Sequence, residues 1–167
     1  GLVHDGSHLI VADSGNNRLQ VLGPDGQVAA LITHYQQDGK SVPLDGPTAL
    51  AIDRDEHLYV LIASQPKPPR TQIVERSLAA IQEDYLAAAQ TRSDGFTRLV
   101  KLKSWREPRL LAASAALDQD VLQIAVDDGT SPPLVWVANG AGPGTLMQLS
   151  GDDLAMRAQW ADSGETL

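Results

Sequence analysis

The sequence contains no cysteine. This absence excludes disulfides, thiolate metal ligands, a cysteine nucleophile and covalent c-type haem attachment within the segment. Aromatic residues are also sparse, with three Trp, three Tyr and one Phe, so we expect a core built mainly from aliphatic side chains. No apolar run reaches the length of a membrane-spanning helix, and we therefore expect no membrane insertion.

Basic residues are fewer than acidic residues in this sequence. The chain carries 13 basic and 21 acidic residues, which gives a formal net charge of −8. Binding to nucleic acid requires a clustered basic surface, so the charge disfavours such a partner. The hydrophobic fraction of 43% and the charged fraction of 20% are typical of a soluble globular protein.

The chain is rich in short strand-and-turn units that repeat. Residues 9–26 alternate two apolar runs with two tight turns, and Pro24-Asp25-Gly26 is strong turn chemistry. The same pattern returns at 50–60 and again at 124–160. Alignment of Ile10, Tyr59 and Trp136 gives a period of roughly 40–50 residues once an insertion is removed, which is typical of propeller blades.

The first unit carries a recognisable motif. Residues 11–18 read Val-Ala-Asp-Ser-Gly-Asn-Asn-Arg and are followed by Gly23-Pro24-Asp25-Gly26, a pattern that resembles the NHL repeat. Residues 50–60 resemble the opening strands of the same repeat, whereas the third unit keeps only the general pattern. The resemblance implies an all-β fold: an NHL-type β-propeller segment of about three four-stranded blades with one inserted α-helix.

We expect blade 1 at about 1–32, blade 2 at about 46–113 with an insertion at 64–96, and blade 3 at about 120–160, all in one partial propeller domain. NHL propellers usually have six blades, and three cannot close a ring. Either further blades belong to a longer chain or two such chains pair, and both ends of the sequence favour the first arrangement. An extracytoplasmic or secreted location is favoured by analogy alone.

The insertion differs from the rest of the chain. Pro66, Pro68 and Pro69 indicate a stiff connector, and residues 71–91 lack Gly and Pro and predict an α-helix. One apolar stripe follows helical spacing: Val74, Leu78, Ile81, Tyr85 and Ala88. The stripe either packs on the propeller itself, docks a protein partner or closes over the central channel.

Residues implied by the resemblance to have a structural role are Asp13 and Arg18, which brace the turn between the second and third strands. In a propeller, the connections from second to third strands and those from one blade to the next share one end of the sheets. Here that end would collect residues 14–17, the long loop at 33–48, the insertion at 64–96, and residues 114–120 and 139–144. All the long loops are therefore expected at one end, and function in repeat folds concentrates on such loops. We therefore predict a partner-binding surface at this end, formed by the stripe residues Val74, Leu78, Ile81 and Tyr85 together with His34, Tyr35, Lys67 and Arg70.

The spacing of the His and Asp residues gives little indication of a metal or cofactor site. His4, His8 and His57 belong to predicted turns, and only His34, beside Tyr35, merits attention as a metal ligand or acid–base group. Asp53, Asp55, Asp127 and Asp128 fit turn chemistry better than a calcium loop. We predict no cofactor, and no catalytic residue can be assigned.

Two main hypotheses for function follow. The favoured one is a non-catalytic binding or assembly module that engages a protein partner, or the remaining blades, through the loop-rich end and the inserted helix. The alternative is a metal-dependent lyase or hydrolase whose channel site is completed by other blades. RNA binding through Lys40, Lys67, Arg70 and Arg92 is a third possibility, disfavoured by the net charge.

Overall fold

The structure is a computed structural model that describes residues 1–64, 96–117, 121–139 and 144–161. The described chain is all-β, and its one helical element is a 3-10 turn at Ser14–Asn16. Alternating apolar and polar residues, interrupted by Gly, Pro and Asp turns, favour strands that bury one face. The prediction of an all-β fold with four-stranded antiparallel units is confirmed. The helix predicted at 71–91 lies outside the described residues.

Three four-stranded antiparallel sheets follow one another along the chain, each with its strands in sequence order. The first sheet contains β1 (Leu2–His4), β2 (Leu9–Asp13), β3 (Arg18–Leu22) and β4 (Val28–Ile32). The second contains β7 (Pro47–Ile52), β8 (Leu58–Ser64), β9 (Phe96–Leu102) and β10 (Leu110–Ala113). The third contains β11 (Val121–Asp127), β12 (Leu134–Asn139), β13 (Thr145–Ser150) and β14 (Met156–Ala161).

A separate hairpin connects the first sheet to the second. It consists of β5 (His34–Gln37) and β6 (Lys40–Pro43), joined by a turn at Asp38 and Gly39, which both have positive φ. The sequence predicts a long loop here, and pairing of β5 with β6 satisfies its backbone instead. Tyr35 and Leu44 from this connection are buried in the core between the first two sheets.

Two hydrophobic cores hold the sheets together. The first lies between the first and second sheets and includes Ile10, Leu19, Val60 and Val100. The second lies between the second and third sheets and includes Tyr59, Leu61, Leu99, Val135 and Met147. The second sheet is thus covered on both faces, which explains why β8 is a nearly continuous apolar run.

The first strands of the three sheets lie side by side, because β7 contacts both β1 and β11. The backbone N–H of Ala12 donates to Gly1 O, and the Gly1 nitrogen donates to Thr48 O at 2.8 Å. A cleft of roughly 370 Å³ runs along these strands and is lined by residues 1–2, 48–50 and 123–124. Adjacent sheets with their first strands together are compatible with propeller blades.

Candidate functional site

The turn between β2 and β3 brings Asp13 and Arg18 together. Arg18 Nε donates to Asp13 Oδ2 at 2.7 Å, and Asn16 Nδ2 donates to both carboxylate oxygens at 3.0 and 2.9 Å. These bonds, first from Asn16 and then from Arg18, lower the pKa of Asp13. The carboxylate is therefore occupied within its own turn.

The same turn reaches the second sheet. Asn17, held at a left-handed φ of 51°, accepts the backbone N–H of Gly46 at 3.0 Å through its side-chain oxygen. Ser14 Oγ donates to the carbonyl of Pro47. The turn that carries Asp13 and Arg18 therefore also anchors the start of β7. This agrees with the expectation that the turn between β2 and β3 and the connection that enters the second sheet share one end of the sheets.

His34 and Tyr35 have different environments. His34 is exposed, and its Nδ1 lies 3.0 Å from Thr33 Oγ1. Tyr35 is 4% exposed and belongs to the core, so its ring is not available as part of a partner-binding surface. Burial raises the pKa of Tyr35, while the positive charge of Arg98 opposes that rise.

The expectation that the whole connection between the first and second sheets lies at the Asp13 end is wrong, because its hairpin extends towards the opposite end. Gln36 N donates to Pro108 O at 2.7 Å, and Pro108 lies in the turn between β9 and β10. In an antiparallel meander this turn is at the opposite end from the connection between β8 and β9. The long connections therefore do not all lie at one end of the sheets. Six predicted partner-binding residues fall outside the described residues: Lys67, Arg70, Val74, Leu78, Ile81 and Tyr85.

At the end opposite the Asp13 turn, Asp5 forms a polar junction that the sequence did not reveal. The Asp5 side chain is 2% exposed and lies in the turn between β1 and β2. Its Oδ1 accepts the backbone N–H groups of Ser7 and His8 at 2.9 and 2.6 Å, and its Oδ2 accepts Trp105 Nε1 at 2.7 Å. Burial raises the pKa of Asp5, but the bonds from Trp105, Ser7 and His8 outweigh it and hold the pKa at about 2.

Arg106 covers this junction from outside. Its guanidinium carbon lies 4.3 Å from the centre of the Trp105 ring, and its Nη1 is 3.6 Å from Asp5 and 3.4 Å from Glu56. The guanidinium thus stacks on the indole while it faces two carboxylates. Because Trp105 and Arg106 belong to the turn between β9 and β10, they tie the second sheet to the first.

Asp53 organises a second buried cluster, in the turn between β7 and β8. Its Oδ1 accepts the backbone N–H groups of Asp55 and His57 at 3.0 and 2.8 Å. Its Oδ2 lies 2.9 Å from His57 Nδ1 and 3.1 Å from the Tyr59 hydroxyl. Burial, followed by the adjacent Asp53 charge, raises the pKa of Tyr59 far above its usual range, so this hydroxyl keeps its proton.

This cluster joins the second sheet to the third through Gly151. Lys101 is buried, and its Nζ donates to Gly151 O at 2.7 Å while it lies 5.4 Å from the centre of the Tyr59 ring. The Tyr59 hydroxyl is 3.3 Å from the same carbonyl. Nearby, Arg54 contacts both the side chain and the carbonyl of Asp128.

The two junctions repeat one arrangement. In each, an Asp after the first strand accepts the N–H groups of its own turn and is connected to the turn before the fourth strand of the next sheet. Trp105 donates directly to Asp5 at the first junction. At the second, the Gly151 carbonyl lies 3.3 Å from the Tyr59 hydroxyl, which itself lies 3.1 Å from Asp53. Asp127 occupies the corresponding position in the third sheet and accepts Gly129 N at 2.8 Å. The sequence indicates turn chemistry at Asp53 and Asp127, but it reveals neither the role of Asp5 nor the distant partners of these residues.

The side chains of His4 and His57 form contacts within their own turns, whereas His8 contacts the turn between β9 and β10. Gly6 N donates to His4 Nδ1 at 3.1 Å, and His57 is held by Asp53. His8 packs on Trp105, with ring centres 5.0 Å apart. Within the described ranges, no three or more His, Asp or Glu side chains are grouped as metal ligands would be. The same ranges contain no helix long and apolar enough to cross a membrane.

The junctions arrange charged and aromatic side chains for structural support: Asp5, Asp53 and Lys101 each have hydrogen-bond partners nearby, whereas His8 Nδ1 is buried without one and lies 3.6 Å from Asp5 Oδ1. No protein-family model matches the chain, and no match was found among curated proteins. The likeness to NHL repeats therefore rests on the motif residues in the first two units.

Proposed function

We propose that the chain is an NHL-type β-propeller segment whose three sheets are consecutive blades, at about 1–32, 46–113 and 120–160. Support comes from the side-by-side first strands and from the Asp13–Arg18 pair in the motif turn. The equivalent junctions at Asp5 and Asp53 further support a repeat that extends beyond sequence pattern.

We further propose that this segment is a non-catalytic binding or assembly module. The observation that supports this proposal is that the two buried carboxylates are already bonded within the protein. Asp5 and Asp53 each accept at least three hydrogen bonds from their own turn or from a neighbouring side chain. Such groups are fixed by their donors and serve the packing of the sheets. The sheets thus form a rigid support for the connections at their ends, including the insertion.

The partner on this proposal is a protein that contacts the loop-rich end and the apolar stripe of the predicted inserted helix. An apolar stripe of one helix's length is suited to a hydrophobic groove, and acidic substitutions within the stripe would weaken such docking. The net charge of −8 is compatible with a protein partner and disfavours nucleic acid.

The experiment compares two double variants of the full chain in affinity capture from an extract of the source cells, followed by titration with the purified partner. Leu78→Asp with Tyr85→Asp places two charges in the stripe. Ala79→Asp with Gln90→Asp adds the same charge on the opposite side of the predicted helix. We expect the stripe variant to weaken binding by at least about tenfold, equivalent to about 1.4 kcal/mol, and the control to retain it. Equal binding by both variants would contradict the proposal.

A further inference from the structure

Aspartate followed directly by glycine recurs in the turns of this chain. Six such pairs occur in the sequence, and five of them lie within the described residues, at 5–6, 25–26, 38–39, 45–46 and 128–129. Because glycine has no Cβ, its peptide nitrogen can approach the side-chain carboxyl group of the preceding aspartate closely. The five pairs are therefore comparable sites for one intramolecular reaction, and their surroundings decide which of them reacts.

Four of the five glycine N–H groups donate hydrogen bonds within the protein. The donors and their acceptors are Gly6 to His4 Nδ1, Gly26 to Gly23 O, Gly46 to Asn17 Oδ1 and Gly129 to Asp127 Oδ1. Such a bond holds the proton of the nitrogen and fixes the orientation of its peptide group. The nitrogen must lose this bond before it can close onto the preceding carboxyl group.

The pair formed by Asp38 and Gly39 has different surroundings. It is the two-residue turn of the hairpin between β5 and β6, and both residues are exposed. Within the described residues, neither the Gly39 N–H group nor the Asp38 carboxylate has a hydrogen-bond partner. A Cβ built on Gly39 would meet no atom within 4 Å. Approach of the nitrogen to the carboxyl carbon therefore breaks no hydrogen bond of these two groups.

We propose that Asp38 is a site of spontaneous isoaspartate formation. The Gly39 nitrogen attacks Cγ of the protonated Asp38 carboxyl group, a C–N bond forms, and the nitrogen's proton leaves with the carboxyl hydroxyl as water. The product is a cyclic succinimide. Water then adds to the Cγ carbonyl, which restores aspartate, or to the main-chain carbonyl of Asp38, which leaves the chain connected through Cγ as isoaspartate. The reaction consumes no oxidant, reductant or cofactor.

Isoaspartate lengthens the main chain of the turn by one carbon, the former Cβ. The length of the turn sets the register of a two-residue hairpin, and here Gln37 pairs with Lys40 and Tyr35 with Val42. An added main-chain carbon disturbs this register close to Tyr35, which is buried between the first two sheets. The modification thus acts on the connection between these sheets, and it does not depend on the partner proposed for the loop-rich end.

The test follows isoaspartate in the full chain during prolonged incubation at neutral pH, both in native buffer and in urea at a concentration that unfolds the chain. Peptide mapping with electron-transfer fragmentation assigns isoaspartate to individual positions. In native buffer we expect it to accumulate at Asp38 and to stay near its starting level at Asp5, Asp25, Asp45 and Asp128. In urea the hydrogen bonds of the turns are lost, and we expect all five positions to react at similar rates.

Two conservative variants assign the reaction to its turn. Asp38→Glu keeps the negative charge but requires a larger ring that forms more slowly, and we expect it to abolish the isoaspartate that accumulates in native buffer. Asp25→Glu is the matched control, because Asp25 and Gly26 also form an exposed turn, and it is expected to leave that isoaspartate unchanged. Mapping of the wild type requires neither variant to fold. Equal accumulation at Asp25 and Asp38 in native buffer, or none at Asp38, would overturn the proposal.

Discussion

The indole Nε1 of Trp105 donates a hydrogen bond of 2.7 Å to the carboxylate of Asp5, across 100 positions of sequence. The bond connects the turn between β9 and β10 to the turn between β1 and β2. It therefore fixes the second sheet relative to the first at the end opposite the Asp13 turn. The acceptor is charged and almost fully buried, which makes the bond stronger than one between neutral groups.

Replacement of Trp105 by Phe tests this bond. Trp105→Phe keeps an aromatic ring beside His8 but removes the N–H group that Asp5 accepts. We expect the free energy of unfolding to fall by about 2 kcal/mol, which is typical for a buried hydrogen bond to a charged group. Urea denaturation provides the measurement. Trp136→Phe is the control, because it removes an indole that stacks on Trp160. We expect it to lower the free energy of unfolding by less than Trp105→Phe does. An equal decrease for the two variants would contradict the role of the bond to Asp5.

The ionisation of Asp5 makes part of the stability depend on pH. Its folded pKa of about 2 lies below the ordinary value of 3.8, so the charged form stabilises the fold above pH 3.8. That contribution is lost as pH falls from 3.8 through about 2, and the shift corresponds to about 2 kcal/mol. We expect Asp5→Asn to be less stable than the wild type at pH 6, with the difference shrinking towards pH 2. A difference that stays constant over this range would argue against a low pKa for Asp5.

Tyr59 and Tyr35 provide a matched pair of buried tyrosines. The Tyr59 hydroxyl lies within hydrogen-bond distance of Asp53 and Gly151, whereas no hydrogen bond is found for the Tyr35 hydroxyl among the described residues. We expect Tyr59→Phe to lower the free energy of unfolding by about 1 kcal/mol and Tyr35→Phe to leave it nearly unchanged. Chemical denaturation of both variants measures the difference. If Tyr35→Phe proved the more costly, the Asp53 cluster would not be an important junction.

Gly46 tests the connection at the Asp13 end. It has φ of +59°, and a Cβ there would collide with the carbonyl oxygen of Ala63. Gly39 has φ of +75° but open space around it. We expect Gly46→Ala to destabilise the fold by about 3 kcal/mol or more and Gly39→Ala by about 1 kcal/mol, because only the first adds a backbone collision to the strain of positive φ. Thermal unfolding measures the stability of both variants. A similar loss of stability for the two would contradict the importance of the close approach between Gly46 and Ala63.

Much of the fold could be read from the sequence because its signals are local. The alternation in residues 18–22, the turn chemistry of Pro24-Asp25-Gly26 and the return of this pattern predict repeated antiparallel strands. The Asp13–Arg18 contact was implied by the resemblance to the NHL repeat, and the structure pairs the two residues across one turn. The hairpin at 34–43 was missed because its strands are short and half exposed, and the burial of Tyr35 follows from packing against the second sheet.

The sequence by itself determined strand periodicity and turn positions, including the turns that contain Asp53 and Asp127, all of which depend on residues a few positions apart. Only the tertiary structure decided that Trp105 meets Asp5 and that Lys101 and Tyr59 share Gly151. These relationships arise when separate sheets pack face to face. The residues involved come from different repeats, so no local pattern specifies which side chains will meet.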